Sequence, residues 1–233
     1  MSSPILEAKN ISKTFGNIKA LDNVDFYLQK GFVHGLLGEN GAGKSSLMNI
    51  LSGIYIPESG SIKINNQKIE KMTPDIAASF GIGMVHQEFR LIESFSIKDN
   101  LTLSKANIFT DNFKEAYDKY SEIFALNSNY LTPVNELSVG EKQKVEIMKL
   151  IFKNSQIMLL DEPTAVLTPQ ETSQLKDSLE KLSQEDEKTI VLITHKLKEI
   201  KDFTERIFVM KNGKMVADNL ETRKVSDKDL IEL

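Results

Sequence analysis

Short, largely apolar runs alternate along this chain with longer stretches whose apolar positions recur every three or four residues. The runs occupy residues 32–37, 82–85, 157–160 and 190–193. They are rich in Val, Ile and Leu and end in glycine or polar turns. Such runs fit strands covered on both faces, as in a parallel sheet. Helical spacing marks residues 44–51, 112–126, 140–153, 169–183 and 196–203. This alternation predicts an α/β fold with a mainly parallel core sheet. Two hairpins flank it, one turning at Asn65-Asn66 between 61–64 and 67–69, the other at Asn212-Gly213 between 206–210 and 214–217. They add antiparallel strands beside the parallel core.

Residues 93–153 break the alternation, with helical patterns and no strong strand. We read them as a helical subdomain inserted into a core made of 1–92 and 154–233, the whole of 1–233 forming one domain. Glu185-Asp186-Glu187 reads as a solvated turn before a strand.

The chain has 233 residues, 29 Lys and Arg against 33 Asp and Glu, net charge −4, and 40% hydrophobic residues. That composition is ordinary for a globular protein and excludes a mainly disordered chain. No apolar run approaches the roughly 18 residues of a membrane span, and the first residues carry no secretory pattern. With no cysteine, disulfides, thiolate metal sites and cysteine nucleophiles are excluded, and a reducing cytoplasm is the simplest address. A mildly acidic chain is poorly suited to sequence-independent nucleic-acid binding, which needs clustered Lys and Arg.

Residues 38–45 read Gly-Glu-Asn-Gly-Ala-Gly-Lys-Ser, the string G-x-x-x-x-G-K-[ST], between a predicted strand and a predicted helix. Glycines let successive backbone N–H groups converge on phosphate oxygens, and the helix adds its positive end. Gly38, Asn40, Gly41, Ala42, Gly43, Lys44, Ser45 and Ser46 are the candidate nucleotide contacts. Lys44 reaches toward the β and γ phosphates, and the Ser45 hydroxyl toward Mg²⁺.

The run ending in Asp161-Glu162 offers two acids at a strand's carboxyl end. We expect this strand beside the one that enters the cradle, opening on the same crevice. Asp161 is then placed to hold Mg²⁺, and Glu162 to polarise a water.

Leu137-Ser138-Val139-Gly140-Glu141-Lys142-Gln143 opens a helix, with Ser138 and Glu141 spaced as a capping box. Lying ahead of the Asp161 strand, it also resembles the LSGGQ signature of ABC-type ATPases. The family's other marks occur in order: Gln87 after a strand, His195 after another, and Phe15 ahead of the cradle. The resemblance covers essentially the whole chain. It implies a P-loop NTPase fold of ABC type, with ATP and Mg²⁺ as ligands. It further implies Phe15 stacked on adenine, Gln87 joining metal and water to a permease groove, and His195 at the γ-phosphate. Lys44, Gln87, Glu162 and His195 are thus the catalytic set, and Ser45, Gln87 and Asp161 the metal set. Ser138, Val139, Gly140 and Glu141 would face the ATP of a second nucleotide domain, in the same longer chain or a homodimer. His34 and His86 read as structural.

Val139 and Glu141 stand where the family's pattern has Gly and Gln, and Thr168 where many relatives carry Asp. Several strings, Thr168-Pro169-Gln170-Glu171 among them, are similar to the branch that imports simple sugars and nucleosides. That resemblance implies an ATPase peripheral to the cytoplasmic face of the membrane. Its partners would be permease subunits and, indirectly, a substrate-binding protein, with no nucleic acid. The similarity is to the first half of a tandem ATPase, and Ser226-Asp227-Lys228-Asp229 is expected to cap a last short helix. The segment from Gln87 to Phe95, with Phe89 and Leu91, reads either as a permease groove or as packing beneath the helical subdomain. An ABC-type ATPase acting on nucleic acid or ribosomes is the alternative function, though no coiled-coil insertion or lysine-rich arm marks it. A regulatory subunit with a dead site conflicts with intact Lys44, Ser45, Asp161, Glu162 and His195.

Overall fold

The computed structural model describes residues 3–103 and 112–232. Part of the expected helical segment, residues 104–111, lies outside them. Ten strands fall into two sheets. The first is antiparallel, in the order β2 (Ile18–Leu28), β1 (Leu6–Phe15), β4 (Ser59–Ile64), β5 (Gln67–Ile69). The second contains β3 (Val33–Leu37), β6 (Ile82–Val85), β7 (Ile157–Asp161), β8 (Thr189–Thr194), β9 (Arg206–Lys211) and β10 (Lys214–Glu221). Its order is β10-β9-β3-β8-β7-β6, parallel throughout except for β10, which pairs antiparallel with β9. This is the α/β fold expected, with antiparallel strands beside a parallel core.

The strand order corrects one expectation. β7 does not lie beside the cradle strand β3; β8 separates them. Strand pairing is non-local, and no pattern within β7 specifies its neighbour.

Among the described residues there are eight α-helices, α1 (Lys44–Leu51), α2 (Pro74–Ser79), α3 (Ile97–Thr102), α4 (Phe113–Ile123), α5 (Val139–Phe152), α6 (Pro169–Gln184), α7 (Leu197–Phe203) and α8 (Asp227–Glu232), and two single 3-10 turns at Val134–Glu136 and Thr222–Lys224. The helices at 44–51, 140–153, 169–183 and 196–203 agree with the sequence pattern to within a residue. The 112–126 helix is shorter at its C-terminal end, stopping before Phe124 and a left-handed Ala125. Capping boxes start α3 at Ser96, α5 at Ser138 and α6 at Thr168. In each, the cap hydroxyl accepts the third helical N–H and an acid answers the cap N–H. Ser226 and Asp229 make the same exchange at α8.

One apolar core fills the space between the antiparallel sheet, α1 and one face of the parallel sheet. Phe26 and Phe208 meet there at 4.7 Å between ring centres. A second core lies on the other face, among α3, α4, α5 and α6. Between them β3 and β8 are buried on both faces along their whole length, and β7 up to Leu160. The Asn65-Asn66 and Asn212-Gly213 turns have positive φ at both central residues, the conformation a two-residue hairpin needs.

The acidic turn at 185–187 is tied down rather than simply solvated. Asp186 accepts hydrogen bonds from Tyr120 Oη and Lys119 Nζ, both at 2.9 Å, and Glu187 pairs with Lys30 at 2.5 Å. Two of its three acids therefore fasten neighbouring segments. Among the described residues no helix is long and apolar enough to cross a membrane.

Candidate functional site

The loop from Gly38 to Gly43 joins β3 to α1 at the carboxyl edge of the parallel sheet. Gly43 caps α1 at φ 103°, a left-handed conformation, and a Cβ there would lie 2.5 Å from the Ala20 carbonyl oxygen. Only glycine fits on both counts. Lys44 is almost fully buried, and its ammonium donates to the carbonyls of Gly38 at 2.6 Å and Glu39 at 2.9 Å. Burial pulls its pKa below the usual lysine value, opposed by the charges of Glu162 and Asp161. A cation thus spans the mouth of the loop, aimed where phosphate oxygens would sit.

Ser45 Oγ donates to Asp161 Oδ2 at 3.2 Å, joining the first turn of α1 to the end of β7 across the intervening strand. Burial pushes the Asp161 carboxyl above its ordinary pKa, aided by Glu162 and opposed by Ser45 and Lys44. A hydroxyl and a carboxylate are hard oxygen donors, the kind Mg²⁺ takes, usually with phosphate oxygens and waters completing its shell. Among the described residues no cluster of three or more His, Asp or Glu side chains offers a self-sufficient metal cage. The donor set therefore fits magnesium held jointly by protein and phosphate.

Glu162 follows with φ 46°, and its N–H closes onto the Ile193 carbonyl at 2.9 Å. Its Oε1 lies 2.7 Å from His195 Nδ1, at the end of the adjacent β8. The segment carrying His195 is itself pinned: Thr194 Oγ1 donates to Glu199 at 2.8 Å, and Lys196 pairs with the same carboxylate at 2.8 Å. Lys44, Ser45, Ser46, Asn40, Gly41, Gly43, Gln87, Asp161 and Glu162 line one cavity of about 460 Å³. Gly38, Ala42 and His195 face an adjoining cavity behind the loop. The sequence matches the family described as ABC transporter over residues 21–165, more than half of its length. The chain belongs to the ABC transporter family.

Its relatives in that family carry import names. It is 39% identical, over 98% of its length, to the nucleoside import ATP-binding protein NupA of Lactococcus lactis subsp. cremoris. It is 43% identical, over 97% of its length, to the galactose/methyl galactoside import ATP-binding protein MglA of Clostridium perfringens. Those matches cover 46% and 44% of the two relatives, so the chain spans about half their length. The fold superposes on the ADP conformation of the ABC transporter cassette MJ1267 with TM-score 0.86 and 26% identity, covering 99% of this chain and 98% of the other. A dimeric post-hydrolysis state of the cassette MJ0796 with ADP and Pi gives TM-score 0.81 at 27% identity, covering 94% and 100%.

The remaining ABC transporter marks lie apart from the cavity. Ser138 caps α5 and accepts from Glu141 N at 3.2 Å, while Val139 is about half exposed. Glu141 Oε1 also accepts from Ser128 Oγ at 2.5 Å; its pKa is lowered because these hydrogen bonds outweigh the opposing effect of burial. A Cβ on Gly140 would overlap the carboxylate of Glu171, the capping acid of α6. Phe15 is not among the cavity's lining residues. Its ring meets Tyr55 edge-on at 5.1 Å, with Lys13 Nζ 5.4 Å from its centre and part of it exposed. Leu91 packs against the helical core, whereas Phe95 stays 40% exposed. His34 is fully buried in β3, and His86 is half-buried beside Arg90 and Glu146.

Sequence reasoning missed the far wall of the cavity: Ile18, Lys19 and Ala20 from β2, with Asn212 and Gly213 from the β9–β10 turn. The Asn-Gly signal located that turn but not what it faces. The hydrogen bond from Gly213 N to the Ala42 carbonyl, 3.0 Å, brings it against the cradle.

Proposed function

We propose that this chain is an ATP-hydrolysing motor that drives import of a simple sugar or nucleoside through membrane permease subunits. The observation that carries the reading is the 3.2 Å bond from Ser45 to Asp161, which puts the phosphate loop and the acid-bearing strand on one cavity with Lys44 and Glu162. Lys44 exchanges its two carbonyl partners for phosphate oxygens. Ser45 and Asp161 would hold Mg²⁺, with Gln87 lining the same cavity; the ion would supply charge neutralisation at the phosphates. Glu162 accepts a proton from the attacking water, and His195 orients that carboxylate.

Ser138 and the Gly140 N–H stand at a helix N-terminus away from this cavity, a geometry suited to the γ-phosphate of a second nucleotide domain. Dimeric MJ0796 and relatives of twice this length support such a pairing. Residues 93–153 and the core of 1–92 with 154–233 are the moving parts in this reading. The nucleoside and galactoside names of the relatives support the cargo class, and the site lies on the cytoplasmic side of the membrane. The test is phosphate release by the protein reconstituted with its permease subunits. Turnover raised by cargo-loaded binding protein supports the reading. Turnover indifferent to permease but raised by RNA or ribosomes would replace it with the nucleic-acid alternative.

A further inference from the structure

Helices α3, α5, α6 and α8 open on a direct exchange: a serine or threonine hydroxyl accepts the third helical N–H, and an acid at that third position answers the cap N–H. Helix α7, which starts just after His195, does not. Its cap position is Lys196, whose side chain has no oxygen to offer the helix. Its third-position acid, Glu199, reaches past the Lys196 N–H to Thr194, whose hydroxyl donates to Oε2 at 2.8 Å. The same hydroxyl accepts the Lys196 N–H at 3.1 Å, and Lys196 Nζ returns to Glu199 Oε1 at 2.8 Å. These bonds close a ring around the backbone of His195, with Thr194 on one side, Lys196 on the other and Glu199 joining them. Thr194 is 1% and Glu199 8% exposed, so water hardly competes for the bond between them.

Another group meets this carboxylate. The Thr164 hydroxyl, in the turn that follows Glu162-Pro163, is buried, has no other hydrogen-bond partner among the described residues and faces Glu199. Burial alone would raise the Glu199 pKa; Lys196, Thr164 and Thr194 together outweigh it and lower the pKa, so the group is ionised. The ladder between β7 and β8 ends where Asp161 pairs with Ile193. Beyond that rung Glu162 N still bonds the Ile193 carbonyl at 2.9 Å, but Glu162 turns left-handed and His195 leaves the strand. The pleat no longer sets one side chain against the other. The His195 side chain is also 42% exposed, so packing holds it little. Glu199 supplies what the sheet edge lacks: one buried carboxylate meets the residue before His195, the residue after it and the second residue after Glu162.

We propose that Glu199 and Thr194 are positioning residues for ATP hydrolysis: they hold the backbone on both sides of His195, and the turn after Glu162, in the register that brings imidazole and carboxylate to 2.7 Å. Neither side chain lines the phosphate cavity, so both act through His195 and Glu162 rather than on the nucleotide. Catalysis is sensitive on this scale, since misplacing a group by about 1 Å costs about 10²-fold in rate. The consequence for hydrolysis rests on the nucleotide reading above; the ring of bonds around His195 does not.

Two measurements on wild type, Thr194→Val, Thr194→Ser and Glu199→Gln test this. Valine keeps the shape of Thr194 without its hydroxyl, serine keeps the hydroxyl, and glutamine turns an amide N–H₂ toward one of the carboxylate's donors. In the whole chain without nucleotide, nitrogen NMR of its three histidines reports which ring nitrogen carries the proton. In wild type and Thr194→Ser, neutral His195 should hold its proton on Nδ1, against Glu162. In Thr194→Val and Glu199→Gln that preference should be lost while His34 stays unchanged. In phosphate release by protein assembled with its permease subunits, kcat should fall at least about tenfold in Thr194→Val and Glu199→Gln, with KM for Mg·ATP within about twofold and Thr194→Ser matching wild type. Lys196→Met, at a half-exposed position, opens the same ring and should move both readouts the same way if the buried variants fail to fold. An unchanged His195 spectrum overturns the positioning role. A changed spectrum with unchanged kcat, or a rise in KM in place of the fall in kcat, overturns its consequence for hydrolysis. A wild-type assembly that releases no phosphate overturns the nucleotide reading, and the spectra then decide the ring on their own.

Discussion

Glu162 Oε1 and His195 Nδ1 lie 2.7 Å apart, at the ends of two strands that are neighbours in the sheet. Parallel pairing of Asp161 with Ile193 sets both side chains at the same edge. The left-handed backbone at Glu162, φ 46°, directs its carboxylate out of the strand line. A non-glycine residue held there is mildly strained, and such strain concentrates at functional sites. With the proton on Nδ1, the imidazole donates to the carboxylate and fixes its orientation.

The first prediction follows from that pair. Glu162→Gln keeps an oxygen acceptor for His195 and removes the charge that takes a proton from water. Folding and Mg·ATP binding should survive, and turnover should fall by about 10²–10⁴-fold, the usual contribution of general-base catalysis. Phosphate release from protein assembled with its permease measures it; a wild-type rate would reassign the base.

The second concerns His34. Burial holds its pKa down at about 4, against an ordinary 6.5. Its Nε2 accepts the Gln29 N–H at 3.1 Å, which requires the neutral ring. The folded state thus binds fewer protons than the unfolded chain between those values. Stability is full above pH 6.5 and falls as pH drops toward 4, by about 3 kcal/mol at most. His86, also lowered by burial, acts in the same direction. Denaturant unfolding at pH 7.5 and 5 should show a smaller drop for His34→Gln than for wild type; equal drops would put the titration elsewhere.

Much of the site was legible because its signals are local. A strand, a glycine loop, Lys44-Ser45 and a helix follow one another without a break, and Asp161-Glu162 end their own strand. What escaped is non-local or distorted. The long strands β1 and β2 were not read, because left-handed Asn10 and Asn23 shift their register and break the alternation of apolar and polar positions. Helices α2 and α3 have six residues each, too few for a periodic pattern, and are marked only by their caps, Thr73 and Ser96. The insertion of β8 between β3 and β7, and the contact of Glu171 with Gly140, join segments far apart in sequence.

The Glu171 contact yields a third prediction. Glu171 Oε2 accepts from both the N–H and the hydroxyl of Thr168, each at 2.8 Å, while the carboxylate covers Gly140. Gly140→Ala should expel the carboxylate and lose the cap, costing about 0.5–2 kcal/mol. In a Glu171→Ala background the same substitution should be neutral or mildly stabilising, since alanine favours a helix by about 1 kcal/mol over glycine. A double-mutant cycle by thermal unfolding checks this; additive effects would show that the two residues do not interact.

Phe15 gives the fourth. Its ring is partly exposed and rests on Tyr55 outside the cavity lining, so stacking on a base requires an approach at the carboxyl end of β1. Phe15→Ala should weaken nucleotide binding by about 1–3 kcal/mol, and Phe15→Tyr should not. Unchanged affinity in the alanine variant, by calorimetry, would leave the ring a purely packing role with Tyr55.

The central claim is that the cavity around Lys44 binds Mg·ATP, and one titration addresses it. Calorimetry of the purified chain with Mg·ATP should give one site per chain, with affinity reduced at least about tenfold by Lys44→Ala, since charge-assisted bonds to phosphate contribute about 1.5–3 kcal/mol. No binding by the wild-type chain, or the same affinity without Lys44, would contradict it.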